Sequence, residues 1–224
     1  MLKENVTRLL STLEKGNNLG EPIALVCATK TVSPEIINQS IEYGVKIVAE
    51  NKVSEFRDKH DKIFGAEQHF IGHLQTNKVK YLVGKVSLIH SIDSIHLAET
   101  VSNEAIKKQV VQDVLVQINV GKEEQKGGLM PENCLEDVKT IAKMQNLNVC
   151  GLMAMLPLTD DKQLLKNLCL QMRDFFDKLK EDGLNMRHLS VGMSADYQIA
   201  IANGSNMIRL GSAIYGKRNY GENN

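Results

Sequence analysis

The stretch His188-Leu-Ser-Val-Gly-Met-Ser-Ala-Asp-Tyr197, followed by Met207-Ile-Arg-Leu-Gly-Ser-Ala-Ile-Tyr-Gly216, decides the fold. Two short apolar runs, Leu189–Met193 and Met207–Leu210, each end in a Ser or Gly-Ser step and give way to a helix-like pattern. Ser194 is the expected N-cap of a helix over Ala195–Ala202, and Gly204 is placed to end it in the left-handed conformation. Gly211-Ser212 opens a second helical turn with N–H groups that no side chain shields. Free N–H groups at the positive end of a helix suit a phosphate. Two such steps on consecutive strand exits resemble the phosphate cradle after strands seven and eight of a (β/α)8 barrel. Two capped helices without a ligand would look the same, so the other strand ends must decide.

Working outward, the same strand-then-helix unit recurs along the chain. Leu2, Val6, Leu9, Leu10 and Leu13 share one helical face, which places an extra helix before the first strand. Ile23–Ala28 is a continuous apolar run, as expected of a parallel strand buried on both faces, and Ser33-Pro34 opens the helix after it. Further strands are expected over Val45–Ala49, His69–Ile71, Val86–Ile92, Val114–Ile118 and Val149–Met155. Helices are expected through Val53–Ile63, across Asn77–Val83, through Ala98–Ala105, from Pro131, and after an Asp160-Asp161 cap. Strict alternation implies parallel strands joined by right-handed crossovers. Eight units at roughly 25 residues each fit a closed α/β barrel better than an open sheet. No linker or composition shift interrupts residues 1–224, so a single domain is expected, with Gly121–Gly128 as its most mobile-looking loop.

Composition narrows the function. Lys plus Arg and Asp plus Glu both number 27, which argues against a broad nucleic-acid or acidic-membrane footprint. The absence of Trp and an aromatic content of 4% argue against base-stacking platforms. Cys27, Cys134, Cys150 and Cys169 form no CxxC pair and read as reduced thiols. The six histidines lack HExxH spacing, so a metal site is not expected. The polar N-terminus resembles no signal peptide and no apolar run reaches membrane-spanning length, so a cytoplasmic protein is expected.

In such a barrel the working residues sit where strands exit at the C-terminal face. Those exits carry Lys30, Asn51, His73, Asp93, Asn119, Met153 with Met155, Ser194, and Arg209 with Gly211-Ser212. Lys30 follows six apolar residues, so its stem should lie in the barrel mouth and present an amine suited to Schiff-base formation. Facing a phosphate cradle, it suits pyridoxal 5′-phosphate (PLP), with the aldehyde at the amine and the phosphate at the helix starts. A solvated lysine at a strand end is the plainer alternative. Arg209 points inward if Ile208 and Leu210 face the helices; it then holds a ligand or forms an ion pair with Asp93 or Glu50. Asn51 either contacts a ligand ring or caps the next helix, and Met153 and Met155 are core residues, one possible ligand contact among them.

These motifs resemble the pyridoxal-phosphate homeostasis protein family (YggS/PROSC) over nearly the whole chain. The resemblance rests on Ala28-Thr-Lys-Thr31, Glu50-Asn51, His69-Phe-Ile-Gly-His-Leu-Gln-Thr-Asn-Lys78, Gln117-Ile-Asn-Val120, Gly151-Leu-Met-Ala-Met155, Leu189-Ser-Val-Gly-Met-Ser194 and Arg209-Leu-Gly-Ser-Ala-Ile-Tyr-Gly216. It implies a (β/α)8 barrel like the alanine racemase N-terminal domain, with PLP held as an aldimine on Lys30. It further implies phosphate contacts from Ser194, Gly211 and Ser212, Arg209 near the pyridine nitrogen, and Asn51 beside the ring. Ala49 and Lys52 depart from the family pattern, and Lys52 raises the question of a second amine. Arg209 beside the ring nitrogen would weaken the cofactor as an electron sink. The racemases' second base, a tyrosine from a C-terminal β domain, has no counterpart in Tyr215 or Tyr220. The resemblance thus implies a non-catalytic PLP-binding protein in vitamin B6 homeostasis, with apo PLP-dependent enzymes as candidate partners; no exposed apolar stripe demands a dimer, so a monomer is expected. A single-domain amino-acid racemase using Lys30 and His73 is the competing reading; a class I aldolase is a third.

Overall fold

The computed structural model describes residues 1–216. Eight parallel strands close into a barrel in sequence order, β1-β2-β3-β4-β5-β6-β7-β8. They are β1 Ala24–Ala28, β2 Ile47–Glu50, β3 Glu67–Phe70, β4 Leu88–Ile92, β5 Gln112–Gln117, β6 Leu147–Ala154, β7 His188–Val191 and β8 Met207–Leu210. β8 closes on β1 with Arg209 opposite Val26. Helix α1, Leu2–Leu13, precedes the barrel and buries Val6, Leu9 and Leu13 on one face, as its periodicity predicts.

Side-chain alternation divides the core in two. The barrel interior packs Val26, Ala49, Ile71, Leu88, Leu115, Cys150, Met153 and Met207. Residues one step along each strand face outward: Leu25, Cys27, Val48, Ile208 and Leu210 pack with Val6, Leu9 and Leu13. A period of two therefore decides that Arg209, between Ile208 and Leu210, points inward. The four cysteines are buried and free. No helix among the described residues is long and apolar enough to cross a membrane.

Helices follow the strands: α2 Pro34–Glu42, α3 Val53–Lys59, α4 Ile95–Lys108, α5 Cys134–Ala142, α6 Lys162–Glu181, α7 Tyr197–Ile201 and α8 Ser212–Tyr215. Pro34 takes the first helical position of α2. The Asp161 side chain caps α6 by accepting the N–H groups of Gln163 and Leu164. Several expected boundaries move. α3 stops at Lys59 and passes into a 3-10 turn, His60–Lys62, before reaching Ile63. The segment after β3 is a 3-10 helix, Thr76–Tyr81, rather than an α-helix across Asn77–Val83. Val79 and Leu82, three residues apart, are both buried, a spacing that a 3-10 helix places on one face. α5 begins at Cys134, three residues after Pro131.

Ser194 is not the cap of α7. Asp196 occupies that position, and its Oδ1 accepts the Met193 N–H at 2.6 Å. The turn 193–196 thus leaves the Ser194 hydroxyl exposed and free for other work. Gly204 does adopt positive φ, +96°, after α7. The Gly121–Gly128 loop is stitched rather than loose. Asn119 Nδ2 donates to the Glu123 and Lys126 carbonyls, and Lys126 Nζ donates to the Leu156 carbonyl.

Candidate functional site

Lys30 follows Thr29, one step beyond β1, and lies half-buried in a cavity of about 440 Å³ lined also by Ala28, Thr31, Gly211, Ser212 and Tyr215. The backbone beside it is constrained: Thr31 has φ +64°, unusual for a β-branched residue. Its N–H donates to Glu55 Oε2 at 2.7 Å. Beneath it, Lys59 Nζ donates to the Thr29 carbonyl and to the carboxylates of Glu50 and Glu55. The Thr29 hydroxyl donates to Glu50 Oε1 at 2.6 Å. Burial raises the Glu50 carboxyl above its usual range, against the pull of these bonds from Thr29 and Lys59. Two strand ends and one helix thus hold the turn that presents Lys30. Sequence reading passed over Glu50, Glu55 and Lys59 as a unit, because no local spacing marks residues that converge from three elements.

The last two strand exits, where a phosphate cradle is expected, come together. The Ser212 hydroxyl donates to Ser194 Oγ at 3.1 Å, joining the β7 and β8 exits. Gly211 passes close to β1, where a Cβ would meet the Ala28 carbonyl at 3.1 Å. The first N–H groups of α8 have no partner within the helix. Ser194 and Ser212 are both exposed.

Asn51 follows β2 and lines a neighbouring cavity of about 290 Å³ with Lys52, Arg57, His73, Lys78 and Tyr81. It does not cap α3, whose N-cap residue is Lys52. Its Oδ1 is buried and accepts no hydrogen bond. Such an orphaned acceptor costs about 1–3 kcal/mol unless a ligand completes it. Gly72 fixes the loop above: a Cβ there would stand 1.9 Å from the Asn51 carbonyl oxygen. His73 is exposed and pairs with Asp93 at 3.2 Å.

Arg209 and Met153 lie deeper, 5% and 1% exposed. The guanidinium makes no ion pair with Asp93 or Glu50. Its Nη1 donates to the Ser190 carbonyl and Ser190 Oγ, both at 2.7 Å, and its Nη2 donates to the Ala154 carbonyl at 2.8 Å. Those three bonds leave Nε–H and one Nη2–H without a described protein acceptor. Burial pulls its pKa down to about 10. Tyr215 lines the Lys30 cavity, with its hydroxyl 3.0 Å from Ser40 Oγ on α2, and burial pushes its phenol up. Tyr220 lies outside the described residues.

The expected residues therefore fall in three places. Lys30, Gly211 and Ser212 share a cavity, with Ser194 bonded to Ser212; Asn51 lines the adjoining wall; Arg209 and Met153 belong to the layer below. Lys52 is exposed on the Asn51 side, in a different cavity from Lys30. Among the described residues no cluster of His, Cys, Asp or Glu is placed to hold a metal ion.

Residues 3–219 match the family described as alanine racemase, N-terminal domain. The chain is 41% identical over 224 residues to the pyridoxal phosphate homeostasis protein of Aquifex aeolicus, covering 97% of this chain and 98% of that one. Among solved structures, PipY of Synechococcus elongatus with PLP bound superposes with a TM-score of 0.85 at 26% identity, covering 96% of this chain and 100% of that one. The structure of PipY without PLP superposes with a TM-score of 0.88 over the same shares.

Proposed function

The chain belongs to the alanine racemase N-terminal-domain family and, within it, to the pyridoxal phosphate homeostasis proteins, and from that premise we propose that it binds PLP in the barrel mouth. Its role is intracellular vitamin B6 homeostasis, without turnover of an amino-acid substrate. The observation that carries the binding site is the set of polar groups without protein partners. Lys30 and the Ser194–Ser212 hydroxyl pair stand at the strand exits, and the Asn51 oxygen and two Arg209 N–H groups beside them lack acceptors or donors. A planar ring bearing a phosphate, an aldehyde, a hydroxyl and a ring nitrogen offers acceptors to the Lys30, serine and Arg209 donors and a hydroxyl donor to the Asn51 oxygen.

In this reading Lys30 supplies the amine that condenses with the PLP aldehyde, losing one water to form a Schiff base. Ser194, Gly211 and Ser212 hold the phosphate through hydroxyl and backbone N–H donors. Asn51 borders the ring, Met153 packs under it, and Arg209 faces the pyridine nitrogen. When bound, the cofactor would supply an electron sink; a guanidinium at the ring nitrogen disfavours the proton that would strengthen it. That argues for holding PLP rather than using it. The whole chain acts as one domain, a cytoplasmic monomer that passes PLP to apo PLP-dependent enzymes.

Two measurements test the reading. Titrating purified protein with PLP should generate a visible band at one equivalent, and the absence of saturable binding would overturn it. Loaded protein in deuterated water should exchange the α-proton of alanine no faster than free PLP. Faster exchange, abolished by His73→Ala, would favour the racemase instead.

A further inference from the structure

Glu67, His69, His90, Ser190 and Arg209 come from four strands and make one continuous hydrogen-bonded chain through the barrel interior. Glu67 Oε2 lies 3.3 Å from His69 Nε2, His69 Nδ1 3.0 Å from His90 Nε2, and His90 Nδ1 3.3 Å from Ser190 Oγ. Arg209 Nη1 closes the chain on Ser190 Oγ at 2.7 Å. His69, His90 and Ser190 are each at most 2% exposed, whereas the Glu67 side chain is 64% exposed at the start of β3.

The two ends dictate the direction. A guanidinium only donates and a carboxylate only accepts. Ser190 Oγ accepts from Arg209 and can then give its one proton to His90 Nδ1. His90 must donate from Nε2 to His69 Nδ1, and His69 from Nε2 to Glu67. The reverse order would set a His69 lone pair against the Glu67 carboxylate. Both rings are therefore neutral Nε2–H tautomers, in keeping with burial, which holds His69 and His90 below their usual range. Every link of the relay then pairs one donor with one acceptor, as a buried polar network requires.

A buried guanidinium without a carboxylate in contact is costly. Asp196 also faces Arg209, from the start of α7, but it bonds the Met193 N–H and forms no described ion pair with Arg209. His188 on β7 is the other titratable group that bears on the two rings. We propose that His69, His90 and Ser190 are positioning residues that lock the guanidinium's orientation through a one-way relay anchored at Glu67. The consequence for the ring nitrogen rests on the PLP reading above; the relay itself needs no ligand.

The experiment separates the two. Ligand-free protein labelled with nitrogen-15 at histidine reports the tautomers directly. His69 and His90 should both be neutral at pH 7, protonated on Nε2 and bare on Nδ1. An Nδ1–H tautomer or a charged ring at either position overturns the relay, whether or not PLP binds. Either end alone fixes the direction, so Ser190→Ala and Glu67→Ala should each keep His90 protonated on Nε2, while the double variant should let that ring populate both tautomers; a single His90 tautomer in the double variant also overturns it. Glu67→Gln keeps the acceptor but removes the charge. In ligand-free protein it should leave both rings as neutral Nε2–H tautomers; a switch to Nδ1–H at either ring overturns the relay. Failure of PLP to bind the unsubstituted protein would sink the cofactor reading alone.

Discussion

The mouth of the barrel and the layer immediately beneath it are built from similar polar residues yet obey opposite rules. Beneath, Arg209, Ser190, His90 and His69 each meet a protein partner, and none exceeds 5% exposure. At the mouth, Ser194 and Ser212 are exposed, Lys30 is half-buried, and the Asn51 oxygen accepts nothing. A satisfied buried network orients; unsatisfied groups converging on a cavity wait for a ligand. The difference assigns positioning to the lower layer and binding to the upper one, although Arg209 belongs to both.

Substitutions that trade the two layers' properties should break this division first where backbone meets backbone. Gly72→Ala would drive a Cβ to 1.9 Å from the Asn51 carbonyl. It should cost about 4 kcal/mol or more in denaturant unfolding, and a variant of normal stability would remove the constraint placed on that wall. The lower layer should next reveal itself through pH. His69 is held down to about 4 from the usual 6.5 by burial, and His90 also lies below its usual range. The unfolded chain therefore binds more protons below pH 6.5. Stability is full above that value and falls on acidification toward pH 4, by roughly 1 kcal/mol per pH unit for each ring. Melting the protein at pH 7 and pH 5, with His69→Gln alongside, should show the decline and its reduction in the variant.

Effects at the mouth should be smaller on stability and larger on binding. Ser194→Ala or Ser212→Ala removes one hydroxyl donor and should weaken PLP binding by about 1 kcal/mol, roughly fivefold, with the unfolding midpoint unmoved. The pair should be non-additive, because the two hydroxyls bond each other at 3.1 Å. The smallest effect belongs to Lys52→Ala. This exposed amine lines the Asn51 cavity and not that of Lys30, so the visible band should be unchanged.

Much of this was legible in the sequence because parallel strands and amphipathic helices leave periodic marks. All eight strands fall within about three residues of their expected bounds, and alternation alone turned Arg209 inward. Boundaries failed where a helix depended on a competing cap: Asp196 displaced Ser194 because its carboxylate reaches back to the Met193 N–H. The segment Thr76–Tyr81 departed from its expected form because the buried residues Val79 and Leu82 stand three apart, a spacing that a 3-10 turn serves as well as an α-helix. The support beneath Lys30 and the relay beneath Arg209 were invisible for a different reason. Their contacts span 2 to 100 positions along the chain, and most of them form only once the barrel closes. The inward positions of His69 and His90 on β3 and β4 were the one available signal, since each shares a face with a barrel-interior or relay residue two steps away.

The central claim is that Lys30 holds PLP in the mouth. Borohydride reduction of the PLP-loaded protein, followed by peptide mapping and repeated with Lys30→Ala, tests it most directly. The account predicts one phosphopyridoxyl adduct, on Lys30, and loss of the visible band in the variant. An adduct on Lys52 or another lysine, or a band that survives Lys30→Ala, would contradict it.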